Sequence, residues 1–363
     1  MREARQRRYL MCPPTQFTVA YEINPWMHKD QPTDTARAVR QWEALRDTYE
    51  ELGHTVELVE PLPDSPDMVY TANGATVVDG IAYTARFRYP ERAAESPAIE
   101  AWLTAAGFAI ARATQINEGE GDILFTERAL LAGTGFRSDH AAHLEIQETF
   151  GRPVVSLQLV DPRFYHLDTC LAVLTDDHLI AYYPGAFSPG SQRILARLFP
   201  DAVIADEADA MPLGINCVSD GRHVIHSPAA IGLAAQLRER GFEPIAVDTS
   251  ELLKGGGGAK CCTLELRQAP LQPPEHLSTW GTGAGRRVRD ADGDVREAGG
   301  GVAEVDGDLA EVGDERVQLA TPTRGSGSGS SADRSAAAEV TGRMPRDVVP
   351  SVPARPHHAT ART

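Results

Sequence analysis

The chain reads as an α/β protein built from repeated strand–strand–helix–strand units that close into a ring, and three observations carry that reading. First, one phrase recurs: a segment with apolar residues at helical spacing, then Gly or Pro, then a short apolar run. It appears at Gly53 before TVELVE, Gly107 before FAIARA, Gly151 before PVVSL, Phe199-Pro200 before DAVIA and Gly241 before FEPIAV. Second, two further short apolar runs precede most of these helices: 75–78 with 81–83, 123–125 with 130–132, 170–174 with 179–182, and 215–218 with 224–226. Third, the units repeat about every 40 to 55 residues, a period typical of solenoids, propellers and arrays. A doubly wound sheet is the competitor, but no Gly-x-Gly-x-x-Gly follows a first strand.

Taken in order, the first strand is expected at residues 18–23. The first helix follows with Val39, Trp42, Leu45, Tyr49 and Leu52 on one face, and the last shows Ile231, Leu233, Ala234 and Leu237. The glycines after the helices suit left-handed C-caps, and the runs after them suit strands. Four units are complete. The fifth is expected from the N-terminal strand, the first helix and TVELVE, with residues 262–267 returning from the other end. Meeting ends favour closure. Past residue 270 the composition changes: residues 281–363 contain no Phe, Tyr, Trp, Ile or Lys and include Gly325-Ser326-Gly327-Ser328-Gly329-Ser330. Such a segment buries too little apolar surface to offset the entropy of ordering it. The domain reading is therefore a basic extension at 1–10, a folded unit at 11–272 and a disordered tail at 273–363.

The 363 residues carry 35 Lys+Arg against 51 Asp+Glu, a net charge of −16. That balance argues against a protein that coats nucleic acid or an anionic membrane, since both demand a basic face. No run approaches a membrane-spanning length. The basic start lacks a following apolar h-region, so a soluble cytoplasmic protein is expected. Five cysteines at scattered spacings (Cys12, Cys170, Cys217, Cys261, Cys262) make neither a disulfide framework nor a zinc site. A special cysteine here is reactive rather than structural.

Candidate chemistry falls at the junctions between units: residues 67–73, 117–122, 166–169 and 255–263. Four glycines, Gly255 to Gly258, precede Cys261, and each costs unfolded-state entropy without a side-chain contact. Their functional reading is a backbone that approaches a ligand and delivers a nucleophilic cysteine; the bland one is a flexible loop. A thiolate needs a nearby base, and His166 is the natural partner. His166 and Asp168, two apart on an expected strand start, share one face. Glu118, Glu120 and Asp122 are read as a solvated turn, a metal site or a guanidinium site. One loop offers few oxygens for a metal, whereas two facing carboxylates match the planar donor fork of a guanidinium. His140, His143, His223, His226 and the tail pair His357-His358 support no rival site.

The Gly-rich approach to Cys261 together with His166-Leu167-Asp168-Thr169 resembles the guanidino-group modifying enzymes: arginine deiminases, dimethylarginine dimethylaminohydrolases, arginine dihydrolases and amidinotransferases. The resemblance covers about residues 11–267. It implies a five-bladed, pseudo-symmetric ββαβ propeller (the pentein fold), which agrees with the repeat. It implies that Cys261 is the nucleophile, with Cys262 facing the other side of a strand, that His166 is the general acid and base, and that Asp168 is one guanidinium-binding carboxylate. The family's second carboxylate stands three residues before an Asp. Here Glu118 stands four before Asp122 and Glu120 two before, so either glutamate is open to the role. Tyr70-Thr71-Ala72-Asn73, where relatives carry an Asp, and Asn24-Pro25-Trp26-Met27 look most like the arginine dihydrolase branch. Arg88 and Arg92 are candidates for the substrate α-carboxylate.

The implied reaction is attack of the thiolate on the guanidinium carbon, a covalent thiouronium and hydrolysis to a ureido product. It uses no metal or organic cofactor. The expected ligand is a small guanidino or ureido compound: arginine, a methylarginine or citrulline. A homo-oligomer is compatible with this reading. The alternatives are a dimethylargininase proper, an amidinotransferase that passes the amidino group to an amine, and a propeller used as a binding module. A binding module has no need of Cys261, His166 and Asp168 together.

Overall fold

A computed structural model describes residues 2–176 and 179–268, and the backbone of Val288–Arg289 and Val295–Arg296. It separates into two compact units, Met1–Ala284 and Gly285–Thr363. The second unit contributes one described feature, the antiparallel pairing of Val288 with Arg296 and Arg289 with Val295. The rest of the tail expected to be disordered at 273–363 lies outside the described residues.

The first unit is a set of five three-stranded sheets. They are β3-β4-β5 (Ala75–Val78, Ile81–Thr84, Ala109–Arg112), β6-β7-β8 (Ile123–Phe125, Leu130–Thr134, Val154–Gln158), β9-β10-β11 (Leu171–Thr175, Leu179–Tyr182, Val203–Ile204), β12-β13-β14 (Val218–Ser219, His223–His226, Glu243–Ala246) and β15-β1-β2 (Leu264–Glu265, Arg8–Met11, Thr55–Leu58). In each, the first two strands are antiparallel and the third pairs in parallel with the middle one. A parallel pair needs a crossover, which a helix provides each time: α1 (Thr35–Glu51), α2 (Glu95–Ala105), α3 (Ala141–Phe150), α4 (Pro189–Leu198) and, after the short α5 (Glu207–Ala210), α6 (Ile231–Glu239). The fifth unit is drawn from both ends of the folded region, as the repeat predicts. Helix exits follow the expected chemistry too: Gly53, Gly107, Gly151 and Gly241 all have positive φ, from 59° to 86°.

Buried clusters join each sheet to its neighbours. Leu10 and Leu264 pack with Ala75, Val77 and Ile99. Val78 and Tyr83 pack with Ile123, Leu130 and Ile146. Leu124 and Leu131 share a cluster with Leu171, Ile180, Val224 and Leu233. Val218 and Ile225 then return to Tyr9, Met11 and the α1 face of Ala38, Trp42, Leu45 and Tyr49. Burying each such large side chain is worth about 1.5–3 kcal/mol. The entry of α1 is held by Asp34, whose carboxylate accepts from the Arg37 N–H at 2.9 Å, a cap worth about 1 kcal/mol.

Three boundaries differ from expectation. The first strand is Arg8–Met11, inside the segment read as a basic extension, and not 18–23. It has a neighbour on both edges, and Tyr9, Leu10 and Met11 are all buried; such a central strand reads as a short continuous apolar run rather than an alternation. The run at 215–218 forms a strand only from Val218, because residues 211–216 turn to bring Asn216 inward. The last strand is the two residues Leu264–Glu265, since Cys261 and Cys262 lie in the preceding turn. No helix among the described residues is long and apolar enough to cross a membrane.

Candidate active site

The glycine run is shaped by the protein's own side chains. The Tyr70 hydroxyl donates to the Leu252 carbonyl at 2.7 Å and the Tyr165 hydroxyl to the Gly256 carbonyl at 2.9 Å. Asn24 Nδ2 donates to the Gly255 carbonyl at 3.1 Å. A Cβ at Gly255 or Gly257 would strike the Tyr70 ring or hydroxyl, and one at Gly256 would lie 2.8 Å from both Asn24 and the Tyr165 hydroxyl. Gly256 alone among the four has positive φ, +91°. So most of the run answers close packing against Tyr70, Asn24 and Tyr165, which neither the ligand-approach nor the flexible-loop reading anticipated.

This loop delivers Cys261, which is 1% exposed. Its Sγ lies 3.3 Å from Asp168 Oδ2 and 3.1 Å from Asn216 Nδ2. Burial first, and then the facing Asp168 carboxylate, push the thiol well above its ordinary range. Burial likewise raises Asp168 to about 7. The neighbouring Cys262 is buried, and its carbonyl accepts from the Thr71 hydroxyl at 2.9 Å.

His166 and Asp168 do not share a strand face. His166 is extended (φ −118°, ψ 153°) and opens the single turn Leu167–Thr169, which holds Asp168. Asp122 sets that turn: its Oδ1 accepts from the Leu167 N–H at 3.0 Å, while Oδ2 accepts from the Ser138 N–H and hydroxyl at 3.1 and 2.7 Å. Burial raises Asp122 to about 6.

His166 Nε2 meets Glu118 Oε2 at 2.8 Å, and the same oxygen accepts from Arg137 Nη1 at 2.8 Å. Burial opposes ionisation of Glu118, yet Arg137 and the hydrogen bond from His166 hold its carboxyl well below the usual range. The Arg137 guanidinium stacks between the rings of Tyr89 and Tyr165, 4.7 Å from each centroid. The turn carrying Glu118 depends on two glycines. Gly119 has φ +53° and lies against the Ala72 and Ala75 backbone, and a Cβ at Gly121 would enter the space of the Asn73 amide and the His166 ring.

Four buried polar atoms here have no partner among the described residues: His166 Nδ1, Asp168 Oδ1, Asn73 Nδ2 and Asp67 Oδ1. Buried polar atoms are almost always paired, so unpaired ones at these junctions suit a polar ligand. No three His, Cys, Asp or Glu among the described residues are grouped so as to hold a metal ion.

Of the ten residues singled out in the sequence, Cys261, His166, Asp168, Glu118 and Asn73 are brought together. The others are placed differently. Glu120 takes Lys260 Nζ at 2.7 Å and Arg267 as partners, so Glu118 is the glutamate at the histidine. Asp122 is spent on the backbone of the 166–169 turn. Arg92 is 3% exposed, with its guanidinium turned to protein partners. Its Nε and Nη2 grip Glu95 at 2.8 and 2.7 Å, and its Nη1 donates to Asn73 Oδ1 at 2.7 Å. It therefore positions Asn73. Arg88 has a third of its side chain exposed and bonds the Arg137 carbonyl and Asp139, while its N–H reaches Glu118 Oε1 at 3.3 Å. Asn24 braces the glycine loop. Asn216 and Arg137 were not anticipated. The signal for Asn216 was a polar residue inside the apolar run 215–218; for Arg137 it was an arginine at a unit junction after β7, the kind of position that held most of the other candidates. His143 bonds Ser156 and the Gly133 carbonyl, and His223 bonds Asp220, as structural histidines do.

No protein-family model matches the chain. The chain is 57% identical over 265 residues to the N(G),N(G)-dimethylarginine dimethylaminohydrolase of Mycobacterium tuberculosis, spanning 73% of this chain and 87% of that protein. It is 39% identical over 278 residues to the bifunctional arginine dihydrolase/ornithine cyclodeaminase ArgZ of Synechocystis sp., covering 75% of this chain but only 39% of that longer enzyme. The crystal structure of the N-terminal domain of an ArgZ variant covalently bonded to a reaction intermediate superposes with a TM-score of 0.70 at 38% identity, over 74% of this chain and all of that one. With these relatives, and with the thiol, histidine and carboxylates in one buried group, the chain belongs to the family of dimethylarginine dimethylaminohydrolases and arginine dihydrolases, hydrolases of linear amidines.

Proposed function

We propose that the chain is a cysteine-dependent hydrolase of the guanidino carbon–nitrogen bond of arginine or an Nω-methylated arginine. The observation that carries this reading is the contact of Cys261 Sγ with Asp168 while, two residues before Asp168, His166 meets the ionised Glu118. Asp168 and Glu118 grip the planar guanidinium and turn its central carbon towards sulfur. Pairing of the cation with Asp168 also removes the charge that keeps the thiol protonated, so as substrate binds the thiol gives its proton to His166 and the thiolate becomes accessible. Sulfur adds to the carbon. The terminal C–N bond breaks with its electron pair going to nitrogen, and His166 passes a proton to the departing ammonia or methylamine. A thiouronium remains on Cys261. Neutral His166 then takes a proton from water, hydroxide adds to the carbon, and the C–S bond breaks with sulfur keeping the pair. The sum is arginine plus water giving citrulline plus ammonia. Arg88 is the candidate for the α-carboxylate, and Asn73, where a charged residue would favour only cations, suits a neutral ureido group and a second hydrolysis to ornithine, ammonia and carbon dioxide.

The five sheets are proposed to close around a pseudo-fivefold axis as a ββαβ propeller. The catalytic unit is then residues 11–272 together with the strand begun at Arg8. We place its activity in the cytoplasm.

A second reading, dimethylargininase proper, is favoured by the 57% identity to an enzyme of that name. Product analysis by mass spectrometry decides between them, using arginine and asymmetric dimethylarginine with Cys261→Ser as control. Ornithine appearing through citrulline establishes two hydrolyses. Citrulline and dimethylamine from the methylated substrate alone establishes the second reading. No product from either, in protein whose Cys261 is intact, overturns both.

A further inference from the structure

Asn216 is 1% exposed, and its neighbours allow its carboxamide one orientation. Its Oδ1 receives the backbone N–H groups of Gly258 and Cys261 at 3.1 and 3.2 Å. Those nitrogens can only donate, so the oxygen faces them and the NH2 faces the other way. There Nδ2 lies 3.0 Å from the Asp168 carbonyl and 3.1 Å from Cys261 Sγ. The NH2 carries two hydrogens, enough for both.

We propose that Asn216 is a catalytic residue: its Nδ2–H donates to the Cys261 sulfur, stabilising the thiolate as it attacks and again when it leaves the thiouronium. This rests on the reading of Cys261 as nucleophile. Apart from the Gly258 backbone N–H, which also favours the thiolate, the surroundings of the sulfur work the other way. The site is buried, and the other side-chain contact is the Asp168 carboxylate, an acceptor once ionised. Asn216 Nδ2 is the side-chain donor at Sγ, joined there by the Gly258 backbone N–H, and a buried anion without donors is strongly disfavoured. The same amide holds the two ends of the 258–261 turn, so the donor is fixed before substrate arrives, as preorganised stabilisation requires. Loop-holding and sulfur donation are thus carried by opposite ends of one side chain, which makes them separable.

The test compares Asn216→Ala, which loses both ends, with Asn216→Asp, which keeps the accepting oxygen and replaces the donor by a second acceptor. Alkylation of Cys261 by iodoacetamide at pH 8, followed by peptide mass spectrometry, reads the sulfur without turnover. We expect Asn216→Ala to slow alkylation about tenfold and Asn216→Asp to slow it further. In both, kcat on arginine falls in the same order, while KM stays within about threefold because the guanidinium carboxylates are untouched. A role confined to the loop predicts the reverse order, with Asn216→Asp near wild type, and that result overturns the proposal. Equal alkylation rates in all three proteins, or none in any, overturn it too. Should Asn216→Ala fail to fold, Asn216→Asp against wild type carries the comparison. A protein that hydrolyses no guanidino compound but alkylates in the expected order removes the hydrolase reading and leaves the amide–sulfur contact standing.

Discussion

Glu118 and Glu120 stand two residues apart on one turn, and both are buried and held ionised against the cost of burial. Their surroundings are opposite. Glu118 Oε2 is shared between a stacked arginine and His166 and its Oε1 receives the Arg88 N–H, beside polar atoms that have no partner among the described residues. Glu120 is the inner rung of an ion-pair ladder in which every oxygen is taken. Lys260 and Arg267 hold it, Arg267 also pairs with Glu265, Glu265 with Arg7, and Arg7 with Asp176. At the outer end of the ladder lies a cavity of about 1000 Å³, lined by Arg7, Arg128, Arg152 and Arg267 and not by Cys261. One carboxylate stands beside unpaired polar atoms, which suits a ligand; the other is closed into ion pairs.

That contrast is easiest to break at its two ends. Glu118→Gln keeps the shape and removes the charge, and kcat should fall by about a thousandfold, read as citrulline formed per second; a fall under tenfold would return the role to another acid. Glu120→Gln should do the reverse. It removes the charge facing Lys260 and Arg267, costing about 3 kcal/mol in urea unfolding, while the folded enzyme keeps kcat within about fivefold. The sign with pH follows: Glu120 is depressed when folded, so its contribution is full above the ordinary glutamate range and is lost as acid protonates it. The gap between wild type and Glu120→Gln should therefore close below about pH 4.

Asp168 sharpens the same comparison from the nucleophile's side. Its carboxyl is raised to about 7, so ionising it is harder in the folded chain than in the unfolded one. That penalty is absent below about pH 4 and grows until pH 7. Asp168→Asn should be inactive yet gain on wild type by on the order of 2 kcal/mol at pH 8, and by nothing at pH 4; melting temperatures across that range check it. The smallest effect is expected at the bracing layer. Tyr165→Phe leaves the Gly256 carbonyl without its donor and should cost about 1 kcal/mol of stability with a severalfold loss of kcat.

How far the sequence speaks differs between these layers. The repeat, the helix exits and the pairing of both chain ends in one unit were legible, because hydrophobic periodicity and punctuating glycines act locally. The residues that meet in the buried polar group were legible as residue types at junctions. Their division of labour was not. Glu118 and Glu120 differ by partners that come from residues 137, 166, 260 and 267, and no local spacing encodes which side of the turn each faces. Arg92 illustrates the same limit: an arginine near a proposed anion site is indistinguishable in sequence from one that grips Glu95 and steers an asparagine. Asn216 was hidden because a single polar residue does not disturb an apolar run enough to cancel a strand.

Strand β1 has β2 on one edge and β15 on the other, and this has a consequence for the order in which the protein comes into being. As the chain is synthesised, β1 and β2 emerge early, but the far edge of β1 stays open until residues 264–265 leave the ribosome. An unpaired edge is a template for wrong partners. The closing strand begins three residues after Cys261, so the step that seals the sheet also seats the sulfur. A nascent chain stopped before that point contains four sheets, the histidine and its carboxylates, but no seated thiol. Seating of the proposed nucleophile thus waits for the last strand to dock, and completion of the fold and assembly of the site become a single event.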